Sequence, residues 1–142
     1  MPSYQLFQER GCEMMLKIDS HSLGLVPEGP GCYWLLAVTD DCSPKSVGRV
    51  AGTDHHGILY IGQSTNLRAR FKEMLKQFSR QTSEISVVAK EGHPASYEWH
   101  VSSQNKVEHP LESIRYTFEE LAPGEDTVYR ELVYLCNYRE QF

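Results

Sequence analysis

A strand, a tight polar turn and the start of a helix are predicted, in that order, by the stretch Tyr60-Ile61-Gly62-Gln63-Ser64-Thr65-Asn66-Leu67-Arg68-Ala69-Arg70. Ser64, Thr65 and Asn66 belong to the residue types that cap a helix N-terminus. Apolar residues then recur at helical spacing on one face, at Leu67, Phe71, Met74, Leu75 and Phe78. The helix therefore carries Arg70 back over the end of the strand.

A second strand is predicted earlier in the chain, directly after the turn signal Gly29-Pro30-Gly31. Residues 32–38 are apolar on both faces, which favours a central position in a sheet. This strand pairs most simply in the antiparallel sense with the strand over 57–62, and the pairing brings Tyr33 close to Tyr60. Residues 39–56 have loop composition and form an insertion between the two strands.

The strings Gly31-Cys32-Tyr33 and Tyr60-Ile61-Gly62, followed by Arg70 ten residues beyond the second tyrosine, resemble the core of the GIY-YIG nuclease superfamily. The resemblance runs from about Gly31 to the C-terminus and is strongest over 60–71. It implies an α+β fold with a small central antiparallel sheet of three strands in mixed order, flanked by helices. Residues 1–28 are then an N-terminal extension packed on the core, and residues 29–142 are the nuclease domain.

The resemblance implies a hydrolase, namely a divalent-metal-dependent DNA endonuclease. Tyr33 is predicted to act as a general base or to orient the attacking water, with support from Tyr60. Because a phenol has a pKa of about 10, a base at this position requires a neighbouring cation or a hydrogen-bond relay. Arg70 is the expected cation, since its guanidinium stays charged and can hold two phosphate oxygens at once.

Glu131 is the predicted metal ligand and the fourth catalytic residue. It lies in an amphipathic helix that resembles the glutamate helix of the family, and a carboxylate oxygen suits Mg²⁺ or Mn²⁺. One carboxylate binds such an ion weakly, so substrate phosphate must complete the coordination. Glu119 and Glu120 remain alternative ligands.

Phosphate or DNA contacts are predicted at the two motif glycines, in the polar turn and on the basic helix face: Gly31, Gly62, Gln63, Ser64, Asn66, Arg68 and Lys72. The glycines would allow a phosphate to approach closely, and Arg68 is either a backbone contact or simply solvated. Residues 68–80 contain five basic residues and one acidic residue, whereas residues 108–142 contain eight acidic and three basic residues. The net charge of −5 argues against binding of nucleic acid over the whole surface.

The chain departs from the family pattern at three places, and the first departure, at Cys32, should be tolerable because a small apolar thiol fits a strand interior. Cys32 replaces the usual isoleucine, and Met74 stands where several members have a histidine or tyrosine. The asparagine that many members carry beyond the glutamate helix has only Asn137 as a counterpart, and the chain ends at Phe142, which allows for a fragment. Two alternatives therefore stay open: a catalytically inactive nucleic-acid-binding module of the same fold, or a protein-interaction domain that uses the acidic C-terminal surface.

The remaining patterns predict supporting elements and the cellular setting. Helices are expected over 110–121 and from about Asp126 or Thr127 onward, and strands over 85–89 and 97–102. No run of about 18 apolar residues and no secretory start is present, which predicts a cytoplasmic protein, or a nuclear one in a eukaryote, with no membrane partner. The four cysteines follow no metal-binding or disulfide pattern and are expected to be thiols. The oligomeric state, and whether a further domain or protein partner exists, are left open.

Overall fold

The computed structural model describes residues 15–49, 52–79 and 107–141. Within these ranges the strands are β1 Leu16–Lys17, β2 Gly31–Ala37, β3 Val47–Arg49, β4 Gly52–Asp54, β5 Ile58–Ser64 and β6 Ile114–Glu120. The α-helices are α1 Leu67–Phe78 and α2 Thr127–Gln141. The strands predicted over 85–89 and 97–102 lie outside the described residues. In the described part of the chain, neither helix has the length and apolar character needed to cross a bilayer.

The main sheet is antiparallel and has four strands in the order β1-β6-β2-β5. The α+β class is as expected, but the predicted three-stranded sheet is wrong by one strand. Leu16 and Lys17 pair with Tyr116 and Arg115 at the edge of β6, so the N-terminal extension contributes β1 to the sheet. Ile18 and Val26 from the same segment are buried in the core.

Strand β6 corrects the prediction of a helix over 110–121. Only a short 3₁₀ turn, Leu111–Ser113, precedes the strand. Apolar residues alternate with polar ones at Ile114, Tyr116 and Phe118, which is the period of a strand and not that of a helix. Pairing along the whole of β2, from Gly31 opposite Glu120 to Ala37 opposite Ile114, then fixes the segment as extended chain.

Strand β2 is central, as its sequence predicted, and every one of its residues is buried. Tyr33 and Leu35 face a core that includes the apolar stripe of α1. Trp34 and Leu36 face the opposite way, and the Trp34 ring lies 5.1 Å from that of Tyr134 on α2. The two helices therefore cover opposite faces of one sheet.

The insertion between β2 and β5 is not the plain loop that was expected, because β3 and β4 form a hairpin within it. Asp54 at the end of this hairpin is fully buried. Its carboxylate accepts hydrogen bonds from the backbone N–H groups of His56, at 2.8 Å, and Ile58, at 3.0 Å, and from the Tyr138 hydroxyl at 2.8 Å. The hairpin is thereby tied to the C-terminal half of α2.

The cysteines are only partly as predicted. Cys32 and Cys136 are free thiols, the first buried and the second exposed. Cys42 is disulfide-bonded, which contradicts the expectation that all four are thiols. Cys12 lies outside the described residues.

Candidate active site

Tyr33 is held in place by the glycine opposite it. Tyr33 pairs with Gly62 across β2 and β5. A Cβ atom at Gly62 would lie 2.4 Å from Cζ and 2.5 Å from the hydroxyl oxygen of Tyr33. The absence of a side chain at Gly62 therefore makes room for the phenol, which lies across the neighbouring strand with 1% of its surface exposed.

Tyr60 and Arg70 complete a hydrogen-bonded group around this phenol. Tyr60 lies on the same face of the sheet, with its ring centroid 6.1 Å from that of Tyr33. The hydroxyl of Tyr33 is hydrogen-bonded both to Tyr60 and to the Arg70 guanidinium. Arg70 reaches it because the Asn66 side chain caps α1, accepting from the Ala69 N–H at 3.0 Å, and this starts the helix at the end of β5.

Glu131 lies on the other helix, within electrostatic range of the same guanidinium. The Thr127 hydroxyl donates to Gln63 Oε1 at 2.7 Å and so ties the start of α2 to the end of β5. Glu131 lies one helical turn after Thr127, on the same side of α2. Its carboxylate interacts electrostatically with Arg70. The structure thus brings Tyr33, Tyr60 and Arg70 together and places Glu131 within electrostatic range of Arg70.

A cleft of about 470 Å³ opens at this place, between the β5–α1 turn and the start of α2. Its lining consists of polar and small residues with one valine: Gln63, Ser64, Thr65, Asn66, Ala69, Arg70, Glu73, Thr127 and Val128. Ser64 exchanges hydrogen bonds with the backbone of Asn66, at 2.9 and 3.0 Å, so both predicted contact residues also build the turn. The cleft has the size and polarity to receive a phosphate group with part of its sugar.

Two predicted DNA contacts have other roles. A Cβ atom at Gly31 would lie 2.2 Å from the Glu119 carbonyl oxygen and 2.6 Å from Leu67, so protein atoms fill the space that was assigned to a phosphate. Arg68 donates to the Val26 carbonyl at 2.7 Å and pairs with Glu28 at 3.1 Å, which anchors the N-terminal segment on α1. Lys72, by contrast, is exposed on the outer face of that helix.

Burial decides the protonation of the tyrosine. It raises the pKa of Tyr33 well above the usual value, and Tyr60 adds to this, whereas the hydrogen bond and charge of Arg70 lower it by less. The expected cation is therefore present, but it does not make Tyr33 a base near neutral pH. For Arg70, burial lowers the pKa, and its bonds to Tyr33 and Glu73 more than offset this, so the guanidinium stays charged.

The alternative metal ligands have other surroundings. Glu119 faces the side of the sheet covered by α2, where it accepts a hydrogen bond from the Tyr134 hydroxyl. Glu120 is exposed at the end of β6. Of the three candidates, Glu131 is the one with an electrostatic interaction with Arg70.

The residues around Glu131 fit a metal ion only in a limited way. Burial raises the pKa of its carboxyl, and Arg70 lowers it by less, so a cation would favour the charged form. Among the described residues, no group of three or more histidine, cysteine or acidic side chains could hold a metal ion. Mg²⁺ is commonly held by one or two carboxylates together with substrate phosphates and water, and one carboxylate meets that minimum.

Among the cleft residues that the sequence did not single out, Glu73 and Thr127 make hydrogen bonds that shape the cleft. Glu73 accepts from Arg70 Nη1 at 3.0 Å, and its position three residues along the helix was a usable signal. Thr127 positions α2 through Gln63, and the 64 residues between them left no such signal in the sequence. Comparisons with protein-family models, with curated proteins and with solved structures found no match.

Proposed function

We propose that this chain is a divalent-metal-dependent DNA endonuclease that hydrolyses phosphodiester bonds with a site of the GIY-YIG type. The observation that carries the proposal is the hydrogen bond between Tyr33 and the Arg70 guanidinium beside a cleft that Arg70 lines. Arg70 on α1 is hydrogen-bonded to Tyr33 on β2 and interacts electrostatically with Glu131 on α2. These are the residue types that such hydrolysis requires, and Arg70 among them lines the cleft.

Arg70 is suited to hold the scissile phosphate. A guanidinium has five N–H donors, and here it bonds to the Tyr33 hydroxyl and to Glu73. Its ion pair with Glu73 joins side chains that are 28% and 60% exposed, so the pair contributes little and a phosphate can displace it. The planar fork then binds two phosphate oxygens and stabilises the charge that develops on them.

Tyr33 is suited to orient water and not to deprotonate it in the free protein. Its raised pKa keeps the phenol protonated, so the hydroxyl can donate a hydrogen bond as well as accept one. Glu131, one turn after the cleft residue Thr127, would hold Mg²⁺ or Mn²⁺. A bound ion of this kind supplies charge stabilisation at the leaving oxygen.

A second candidate is an inactive nucleic-acid-binding module of the same fold. Met74, one turn after Arg70, is buried in the core with 1% exposure, so this position offers no proton-transfer group to the cleft. The raised pKa of Tyr33 favours the same alternative. Exposed Lys72 and Lys76 on α1 would then supply the backbone contacts.

Cleavage of supercoiled plasmid with Mg²⁺ or Mn²⁺ separates the two candidates. We expect the parent to nick the plasmid, and Arg70→Ala and Glu131→Gln to lose at least about 100-fold in rate. The matched controls are Lys17→Ala and Glu112→Gln, which change the same charges at exposed positions away from the cleft and should cut like the parent.

Failure of the folded parent to cut, with either metal, would reject the nuclease proposal. Binding measured by fluorescence anisotropy over a salt series would then test the module. For a nucleic-acid-binding module, the logarithm of the binding constant for DNA falls linearly with the logarithm of the salt concentration. A protein-interaction domain shows no binding to DNA.

A further inference from the structure

The carboxamide of Gln63 is held by its oxygen alone. Its Oε1 accepts a hydrogen bond from the Thr127 hydroxyl at 2.7 Å. Among the described residues this is the one hydrogen bond of the Gln63 side chain, so its Nε2 keeps two N–H donors for a ligand. Gln63 is half-buried and lines the same cleft as Arg70. The cleft therefore offers a neutral pair of donors in addition to a guanidinium.

Thr127 is itself fixed from more than one side. It is the first residue of α2 and is 5% exposed. Its carbonyl oxygen accepts from Cys32 Sγ at 3.9 Å, and Cys32 is the cross-strand partner of Gln63 in the β2–β5 pair. Cross-strand partners face the same side of a sheet, so both residues contact Thr127 on the face that α2 covers. Thr127 is thus a fixed point from which the carboxamide can be oriented.

The hydroxyl of Thr127 is not used to cap the helix. A threonine at the start of a helix commonly accepts a hydrogen bond from a backbone N–H of the first turn. Here the carboxylate of Asp126 accepts from the Tyr129 N–H, at 3.0 Å. The Thr127 hydroxyl donates to Gln63 instead, so its effect lies at the carboxamide.

We propose that Thr127 is a positioning residue, which orients the Gln63 carboxamide so that Nε2 donates to a phosphate oxygen of bound DNA. This inference rests on the DNA binding that the proposed function requires. A carboxamide has an acceptor at one end and donors at the other, and only the donors suit a phosphate. With Oε1 bound to Thr127, the donors remain for the ligand. A side chain that is already ordered also avoids the entropy cost of ordering it on binding.

This arrangement fits a phosphate better than it fits a base. A glutamine that reads adenine uses its oxygen and its nitrogen together. Here Thr127 already occupies the oxygen of Gln63, whereas a phosphate needs only the donors. A phosphate contact carries no sequence information. We therefore expect mutation of this pair to weaken the binding of A·T-rich and G·C-rich duplexes equally.

Fluorescence anisotropy of labelled duplex DNA, in EDTA over a salt series, tests the proposal without a cleavage step. Thr127→Val removes the hydroxyl at nearly constant shape and should weaken binding about three- to tenfold. Thr127→Ser keeps the hydroxyl and should bind like the parent. Because the carboxamide is uncharged, Thr127→Val should leave the slope of log K against log[salt] unchanged, whereas Arg70→Ala should reduce that slope by about one.

Gln63→Met separates orientation of the donor from a purely structural tie between β5 and α2. Both Gln63→Met and Thr127→Val lose the same hydrogen bond, so urea denaturation should show similar losses of stability. Only Gln63→Met also removes the donors, so it should weaken DNA binding at least about threefold more than Thr127→Val does. Thr117→Val is the matched control and should bind like the parent, since Thr117 is 4% exposed and does not line the cleft.

The outcomes separate this inference from the nuclease proposal. A parent that binds DNA without cutting it rejects the nuclease and leaves the expected effects of Thr127→Val unchanged. A parent that does not bind DNA overturns both. Parent-like binding by Thr127→Val, equal affinities of Thr127→Val and Gln63→Met, or a loss confined to one of the two duplexes overturns the positioning role alone.

Discussion

Replacement of Gly62 by alanine is expected to displace the Tyr33 phenol. The added Cβ atom would lie 2.4 Å from Cζ and 2.5 Å from the hydroxyl oxygen of Tyr33. Non-bonded carbon atoms prefer about 3.5–4.0 Å, so the ring must move by roughly 1 Å or more. Because Tyr33 is buried and hydrogen-bonded to Arg70, this movement also disturbs that bond.

Two opposing terms set the loss of stability. Overpacking of a close-packed site costs about 1–3 kcal/mol. Replacing glycine restricts the unfolded chain and offsets about 0.4–1 kcal/mol of this. We expect the free energy of unfolding to fall by about 1–2 kcal/mol, measured by urea denaturation. If the chain is a nuclease, a displacement of about 1 Å at Tyr33 should lower the cleavage rate by roughly 100-fold.

A double-mutant cycle with Tyr33→Leu isolates the contact, because leucine ends before the ring atoms that the new Cβ would meet. In that background Gly62→Ala should cost less than about 0.5 kcal/mol. Gly48→Ala is the control, since no atom lies within 4 Å of its added Cβ and the change should be neutral or stabilising. An equal cost of Gly62→Ala with and without the tyrosine ring would refute the reasoning.

Three further predictions concern buried polar groups. Asp54→Ala should lower the free energy of unfolding by roughly 3 kcal/mol, because it removes the buried acceptor of hydrogen bonds from His56, Ile58 and Tyr138. Urea denaturation measures this loss. Asp54→Asn keeps one acceptor oxygen and should lower the free energy of unfolding by less. Tyr116→Phe should leave the free energy of unfolding unchanged or raise it by about 1 kcal/mol in the same assay, since the buried Tyr116 hydroxyl has no hydrogen-bond partner among the described residues. A fall of more than about 1 kcal/mol would contradict this. Burial raises the pKa of Cys32 to about 12, so maleimide at about pH 8 should label exposed Cys136 and leave Cys32 unlabelled in the folded protein, as peptide mass mapping would show.

Local patterns in the sequence were enough for the elements that carry Tyr33, Tyr60 and Arg70. Two buried strands, the Asn66 cap and the apolar stripe of α1 each depend on residues within one or two turns of chain, so short-range spacing determines them. The start of α2 near Thr127 was likewise predicted. The helix predicted over 110–121 is wrong, because pairing along β2 holds most of that segment as strand β6, whose apolar residues alternate.

Only the tertiary structure decided how distant residues meet. The fourth strand forms where the N-terminal segment pairs with the edge of β6, and buried Asp54 of the insertion hairpin binds Tyr138 of α2. The sequence predicted Glu131 as the metal ligand, ahead of two other glutamates. The packing of α2 on the sheet is what places Glu131 within electrostatic range of Arg70. The protonation of Tyr33 is also a tertiary property: the sequence predicted a neighbouring cation, and the depth of burial outweighs it. The sequence by itself therefore determined the α+β elements and the residue types of the site, whereas long-range packing and burial determined their partners and their charge states.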